Sequence, residues 1–159
     1  MNRQRGVILL ASLVLMLGLG LLGASALQGA LLQQRMAANL AMSMRGLEHA
    51  EATLATGEAQ VLLTPPAVCT LCLPPANAHD DAARSGQPWR SAENGMYLLQ
   101  NLGPSVRAAH RPAGRPASLF RVTAVSRERA GRQVLESIVA LEQGGKPVRI
   151  MWRQRLRES

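Results

Sequence analysis

Met1-Asn2-Arg3-Gln4-Arg5-Gly6 opens the chain, and the uncharged run VILLASLVLMLGLGLLGASAL follows directly as residues 7–27. These 21 residues, at about 1.5 Å rise per residue, are about as long as the hydrocarbon core of a bilayer is thick. The two arginines before the run favour a cytoplasmic N-terminus, because positive charge is retained on that side of the membrane. The sequence therefore predicts a membrane-spanning helix with Gly6 at its border.

Three kinds of N-terminal signal fit this border, and they differ in where the chain is cut. An ordinary secretory signal has an apolar core of about 7–15 residues before a small-residue site; this run is longer, although Ala24-Ser25-Ala26 would serve as such a site. Residues 28–63 contain no proline and continue a helical pattern, which favours a retained helix. A plain signal anchor would need no glycine at position 6. A class III leader is short and basic, ends in glycine, and is removed on the cytoplasmic side while the apolar helix is kept.

A stripe of aliphatic residues predicts that residues 28–63 are an amphipathic continuation of the same helix. The stripe and the small residues between its members are Leu40, Leu47, Leu54 and Val61, with Ser43, Ala50 and Gly57. Such a stripe is typical of a helix that covers a sheet, and its small residues would allow a close approach. The repeat is too short, and its alternate positions too small, for a coiled coil.

The remainder of the chain predicts loops followed by strands. Residues 64–118 are rich in proline and are expected to form a loop region with one short strand near residues 96–99. Residues 119–159 are expected to form an antiparallel sheet, with strands at 119–126 and 132–141 and a last strand of alternating residues after Gly144-Gly145. The predicted class is α+β, with one long N-terminal helix packed on three or four antiparallel strands.

Several segments resemble the N-terminus of type IV pilins, and more closely the minor pilins of the PilX family. They are Arg5-Gly6-Val7-Ile8-Leu9-Leu10, the apolar run, LLQQRMAANL at residues 31–40 and Ala50-Glu51-Ala52. The resemblance covers residues 3–58 and is weaker beyond, where FRVTA at 120–124 and VLES at 134–137 look like the family's closing hairpin. It implies the type IV pilin fold and a leader of residues 1–6. It also implies cleavage between Gly6 and Val7 by a prepilin peptidase and methylation of the new amine of Val7.

The resemblance includes one departure from the major pilins, at Ala11. Major pilins usually carry Glu at the fifth residue after cleavage, where it pairs with the N-terminal amine of a neighbouring subunit; here that residue is Ala11. A carboxylate in hydrocarbon is costly unless it is paired. Because subunits join at the base of the filament, only the first subunit has no earlier amine to meet. The resemblance therefore predicts a minor pilin that primes assembly and sits at or near the tip, and the simpler interpretation is a family member placed anywhere in the fibre.

The resemblance also implies the partners and the location of the protein. The expected partners are other minor and major pilins, the prepilin peptidase, the inner-membrane assembly platform and a tip adhesin, with roles in twitching motility and cell adhesion. The expected location is the inner membrane, with a single pass and a periplasmic C-terminal domain, and then the pilus on the cell surface. Two alternatives stay open: a minor pseudopilin of type II secretion, and a single-pass anchored periplasmic binding module.

The net charge of +8 comes entirely from the C-terminal third. Residues 1–106 carry six Arg and six acidic residues, whereas residues 107–159 carry eleven Arg and Lys146 against four Glu. Such a surface could attract lipid head groups, DNA or an acidic protein. We favour a solvated, solubilising surface, since Arg outnumbers Lys 17 to 1; a protein partner comes second and nucleic acid last.

Cys69 and Cys72 are the only cysteines, spaced as Cys-Thr-Leu-Cys. An oxidising compartment favours a disulfide over a redox pair, which would need a strand before it and a helix after it. Zinc would need further ligands, and His79 with Asp80-Asp81 is the only nearby supply. His49 and His110 stand apart from any activated Ser or Cys. We therefore predict a protein that is not an enzyme, with no metal and no cofactor.

Overall fold

A long N-terminal helix precedes a five-stranded antiparallel sheet. The computed structural model describes residues 3–76, 78–82, 85–110 and 112–157. The helices are α1, Arg3–Leu63, and α2, Ala78–Asp81. The strands are β1 Arg90–Ala92, β2 Gly95–Ser105, β3 Ala117–Ser126, β4 Val134–Leu141 and β5 Val148–Arg155. Each strand pairs with the next along the chain, in the order β1-β2-β3-β4-β5, so the layout is α+β, as predicted.

The predicted count of three or four strands is wrong, because the sheet has five. The residues expected to form loops, 64–118, contain β1, β2 and the start of β3. Pro104 lies inside β2 and does not end it, because β1 pairs with β2 only at residues 95–97. Among the described residues, no strand pairs with the outer side of β2 at Pro104, so the missing N–H of proline breaks no ladder on that side.

The chain divides into two compact units, residues 1–41 and 42–159. In the first unit every described side chain from residue 7 to residue 41 is exposed; we call residues 7–41 the exposed helix segment. α1 is long and apolar enough to cross a membrane, by length and composition, since a stretch of 18 residues within it has a mean hydropathy of 2.2. The sequence prediction of an apolar, membrane-length helix is confirmed at this level.

In the second unit, which we call the sheet unit, the last part of α1 packs on one face of the sheet. Ala50, Leu54 and Val61 are buried against a strand cluster. The strand members of this cluster are Leu99, Phe120, Val122, Ala124, Leu135 and Val139. Full burial of a Val, Leu or Phe side chain contributes about 1.5–3 kcal/mol. The predicted stripe is confirmed at Leu54 and Val61, while Leu40 is 64% exposed and belongs to the other unit.

Small residues on α1 set how closely the sheet approaches. Gly57 is buried, and a Cβ at that position would lie 2.6 Å from Cγ1 of Val122. The last strand departs from the predicted alternation, because an irregularity between Ile138 and Val139 shifts the register of β5. As a result Arg149 pairs with Val139 and Trp152 with Ser137, on the α1 side of the sheet.

Candidate functional site

The expected processing site lies in the first turns of α1. Gly6 is part of the helix, and Val7 and Ala11 are exposed. Met1 and Asn2 of the expected leader lie outside the described residues. Residues four apart lie on the same face of a helix, so Ala11 shares the face of Val7. No acidic residue precedes Glu48 in the sequence, so the first turns of α1 have no carboxylate side chain near Val7.

Residues 7–27, the first part of the exposed helix segment, are apolar on all sides. The five consecutive residues 13–17 are 60–73% exposed, and they cover more than one helical turn. A helix that packs on one partner buries a stripe, whereas a helix that is hydrophobic all round is surrounded by apolar material. Lipid or a bundle of neighbouring helices would supply such surroundings.

The β3–β4 turn packs directly on α1 at Gly46. A Cβ at Gly46 would lie 2.1 Å from the carbonyl oxygen of Gly131, which itself has φ of +71°. Beside this contact, the Gln133 amide donates to Oγ of Ser43 at 3.1 Å. Two glycines are therefore required where the helix and the turn meet.

A charged contact fixes the far part of α1 to the edge strand β5. Arg149 donates to both carboxylate oxygens of Glu58, from Nε and from Nη2, each at 2.7 Å. The hydroxyl of Ser137 donates to the same carboxylate at 2.6 Å. The hydrogen bond to Glu58 raises the pKa of Arg149, burial opposes this, and the charges of Glu58 and Glu51 add to it. Glu58 is not a member of the predicted stripe, and its pairing with Arg149 cannot be predicted from the periodicity of α1, because it depends on the register of β5.

A second charged cluster lies on the opposite face of the sheet. Glu136 is fully buried, and its Oε1 accepts a hydrogen bond from Nε of Arg153 at 3.0 Å. Nη2 of the same arginine lies 2.7 Å from that oxygen. Arg121 approaches the same carboxylate, with Nε at 3.7 Å. The sequence signal was available, since Glu136 interrupts the apolar strand VLESIVAL. Part of the basic excess therefore neutralises acids inside the sheet unit, and Arg157 likewise pairs with Asp80 at 2.9 Å.

Cys69 and Cys72 are joined by a disulfide. Residues 65–76, which we call the disulfide segment, run along the outer side of β2 and over the face of the sheet that is opposite α1. Their backbone receives hydrogen bonds from the side chains of the sheet. These are Asn101 to the Pro66 carbonyl, Gln100 to that of Leu73, Arg121 to that of Cys72 and Arg155 to that of Pro75, at 2.7–3.1 Å.

The histidines have structural partners or lie in loops. His49 Nδ1 lies 2.5 Å from a carboxylate oxygen of Glu128, and His79 Nε2 lies 2.8 Å from the carbonyl oxygen of Arg155. His110 is exposed in the β2–β3 loop. Within the part of the chain that the structure describes, no three His, Cys, Asp or Glu side chains form a cluster that could hold a metal ion.

A groove of about 600 Å³ lies at the β3–β4 end of the sheet. Arg127, Arg129 and Arg132 line it together with Asp80 and Glu93. Arg132 is fixed by the carbonyls of Glu128, His79 and Asp80. Three arginines against two carboxylates give the lining of this groove an excess of positive charge.

Comparison of the chain with models of protein families, with curated proteins and with solved structures finds no match in any of the three.

Proposed function

We propose that this chain is a minor pilin of the PilX type that primes type IV pilus assembly and sits at or near the pilus tip. The observation that carries the proposal is the part of the exposed helix segment at residues 7–27: it is apolar all round, follows Gly6, and belongs to the same helix that further on packs against a small antiparallel sheet. A pilin needs this combination, because its apolar helix first lies in lipid and then among the helices of the filament.

Ala11 supports the position at the tip. With Ala11 on the face of Val7, the new amine can still receive the Glu of a later subunit, but the chain offers no Glu to an earlier one. A subunit that starts the filament has no earlier amine to satisfy. In this proposal the other minor pilins, the major pilin and a tip adhesin join after it, and the sheet unit faces the periplasm before assembly.

Replacing Ala11 by Glu tests the tip position. We expect pilus number to fall and the variant to appear along the shaft, as seen by immunogold electron microscopy with an antibody to the sheet unit. Ser12→Glu is the matched control, because it adds the same charge to the same turn on a different face of the helix. Unchanged placement and unchanged pilus number in the Ala11→Glu strain would contradict the tip position.

The alternatives make different predictions. A minor pseudopilin of type II secretion would have the same mature N-terminus, but its deletion would abolish secretion and leave pili intact. An anchored binding module is favoured by one observation, the arginine-lined groove beside Arg127 and Arg129. It predicts an uncut N-terminus and a ligand that is displaced when these two arginines are replaced by Gln.

A further inference from the structure

β5 is an edge strand with an open outer side. It runs over eight residues, contains no proline, and pairs only with β4. Among the described residues, no backbone–backbone hydrogen bond outside the ladders involves β5, and His79 Nε2 lies 2.8 Å from the carbonyl oxygen of Arg155 at the end of the strand. An edge of this kind presents unpaired N–H and C=O groups to which another extended chain can bind.

The opposite edge of the sheet is covered, in contrast. β1 has only three residues and pairs with β2 at residues 95–97. Further along β2 the disulfide segment covers this edge. Val68 forms a parallel bridge with Asn101, and the Cys69 N–H donates to the Asn101 carbonyl at 2.9 Å. The fold thus closes one edge with its own chain, whereas among the described residues the β5 edge is met only at its last residue, where His79 contacts the Arg155 carbonyl.

The side chains of β5 give this open edge a definite charge. The strand carries Arg149, Arg153 and Arg155 and no acidic residue. Each guanidinium is held by a partner within the sheet unit: Arg149 by Glu58, Arg153 by Glu136 and Arg155 by the Pro75 carbonyl. The side chains of Arg149 and Arg153 are nevertheless 44% and 51% exposed. Because a guanidinium has five N–H donors, donors remain on side chains that are already held in place.

We propose that the β5 edge binds an extended acidic segment of a protein partner by strand addition. On the face opposite α1, acidic side chains of the partner lie beside Arg153 and Arg155. On the α1 side, an apolar side chain lies beside Trp152, which is 44% exposed. A second copy of β5 is a poor occupant, because like charges opposite one another destabilise a strand pair. The inference concerns the sheet unit alone and does not rest on the proposed function.

Three peptides distinguish strand addition from simple charge attraction, using the full chain in detergent. One alternates Glu and Val, one alternates Lys and Val, and one alternates Glu and Pro, so that its charge is kept and its N–H donors are reduced. We expect the Glu-Val peptide alone to bind and to slow hydrogen exchange of the amides of β5. Equal binding of the Glu-Pro peptide, protection elsewhere, or dimerisation of the chain through β5 would overturn the proposal.

Arg155→Glu tests the charge in the protein itself. We expect about a tenfold loss of affinity for the Glu-Val peptide, since reversing a charge next to a bound carboxylate replaces attraction by repulsion. Arg115→Glu is the matched control, because it makes the same change in net charge at an exposed position in the β2–β3 loop, outside β5. The thermal unfolding midpoint of both variants verifies that they fold. Equal loss of affinity in the two folded variants would show that only net charge acts, and would refute the proposal.

Discussion

Gly46 lies where the β3–β4 turn crosses α1, with no room for a side chain. A Cβ there would meet backbone atoms of Gly131, which cannot rotate away as a side chain can. The periodicity of α1 predicted small residues on the packing side, at Ser43, Ala50 and Gly57. It did not identify Gly46, because this glycine is required by the β3–β4 turn, and the periodicity of a helix does not predict where a distant turn packs on it.

Gly46→Ala should therefore destabilise the sheet unit by about 1–3 kcal/mol, the usual effect of overpacking a tight contact. The measurement is chemical unfolding followed by circular dichroism. Gly29→Ala is the control, since nothing lies within 4 Å of a Cβ at that position, and Ala is favoured over Gly in a helix. A Gly46→Ala chain as stable as the Gly29→Ala chain would contradict the described approach of the turn.

The contact between Glu58 and Arg149 should have a modest coupling energy. Both side chains are partly exposed, so a double-mutant cycle with Glu58→Gln and Arg149→Gln should give about 0.5–1 kcal/mol. The raised pKa of Arg149 means that its contribution is present below the unfolded pKa and is lost only as the pH rises through the still higher folded value. The coupling should therefore persist through alkaline working conditions and weaken with added salt. A coupling of zero at low salt would show that the contact does not fix α1 to β5.

At the scale of elements, the disulfide segment covers the β2 edge and binds the face of the sheet opposite α1. Its role was not readable from the sequence, because the spacing of Cys69 and Cys72 suggests a closed loop and says nothing about the strand that receives it. The paired strands β3 and β4 were readable, since long apolar runs separated by a Gly-containing turn predict a hairpin. β2 was predicted too short, because Pro104 ordinarily argues against a strand, and the sequence does not reveal that β1 pairs with β2 only at residues 95–97.

Replacing both cysteines by Ser should loosen the disulfide segment while leaving β3 and β4 in place. Opening a loop this small lowers the free energy of unfolding by roughly 2 kcal/mol in the chain-entropy description. Hydrogen exchange should accelerate at the amide of residue 69, which donates to the Asn101 carbonyl, and along the outer edge of β2. Thr70→Ala, inside the same loop, is the control. Unchanged exchange in the Cys-free chain would mean that the hydrogen bonds to Pro66, Cys72, Leu73 and Pro75 hold the segment without the disulfide.

At the scale of the whole molecule, the two units differ in the environment that suits them: apolar surroundings for the helix of the first unit and water for the sheet unit. Residues 7–41 bury none of their described side chains, whereas the sheet unit has its own core and two charged clusters in which Glu58 and Glu136 are each paired with arginine. The membrane-length helix and the α+β class could be predicted, because both follow from local patterns of apolar residues. The ion pairs of Glu58 and Glu136 could not, since they depend on strand register. They also reduce the free positive charge that the composition suggested.

The central claim is that Gly6 ends a leader and that the apolar helix is retained. The most direct measurement is the intact mass and N-terminal sequence of the protein extracted from membranes of cells that contain a prepilin peptidase, with Gly6→Val as the uncleaved control. The account predicts a chain that begins at Val7 and carries one added methyl group, and an unprocessed chain for Gly6→Val. A wild-type chain that keeps Met1, or that begins at Leu27 after loss of the apolar run, would contradict it.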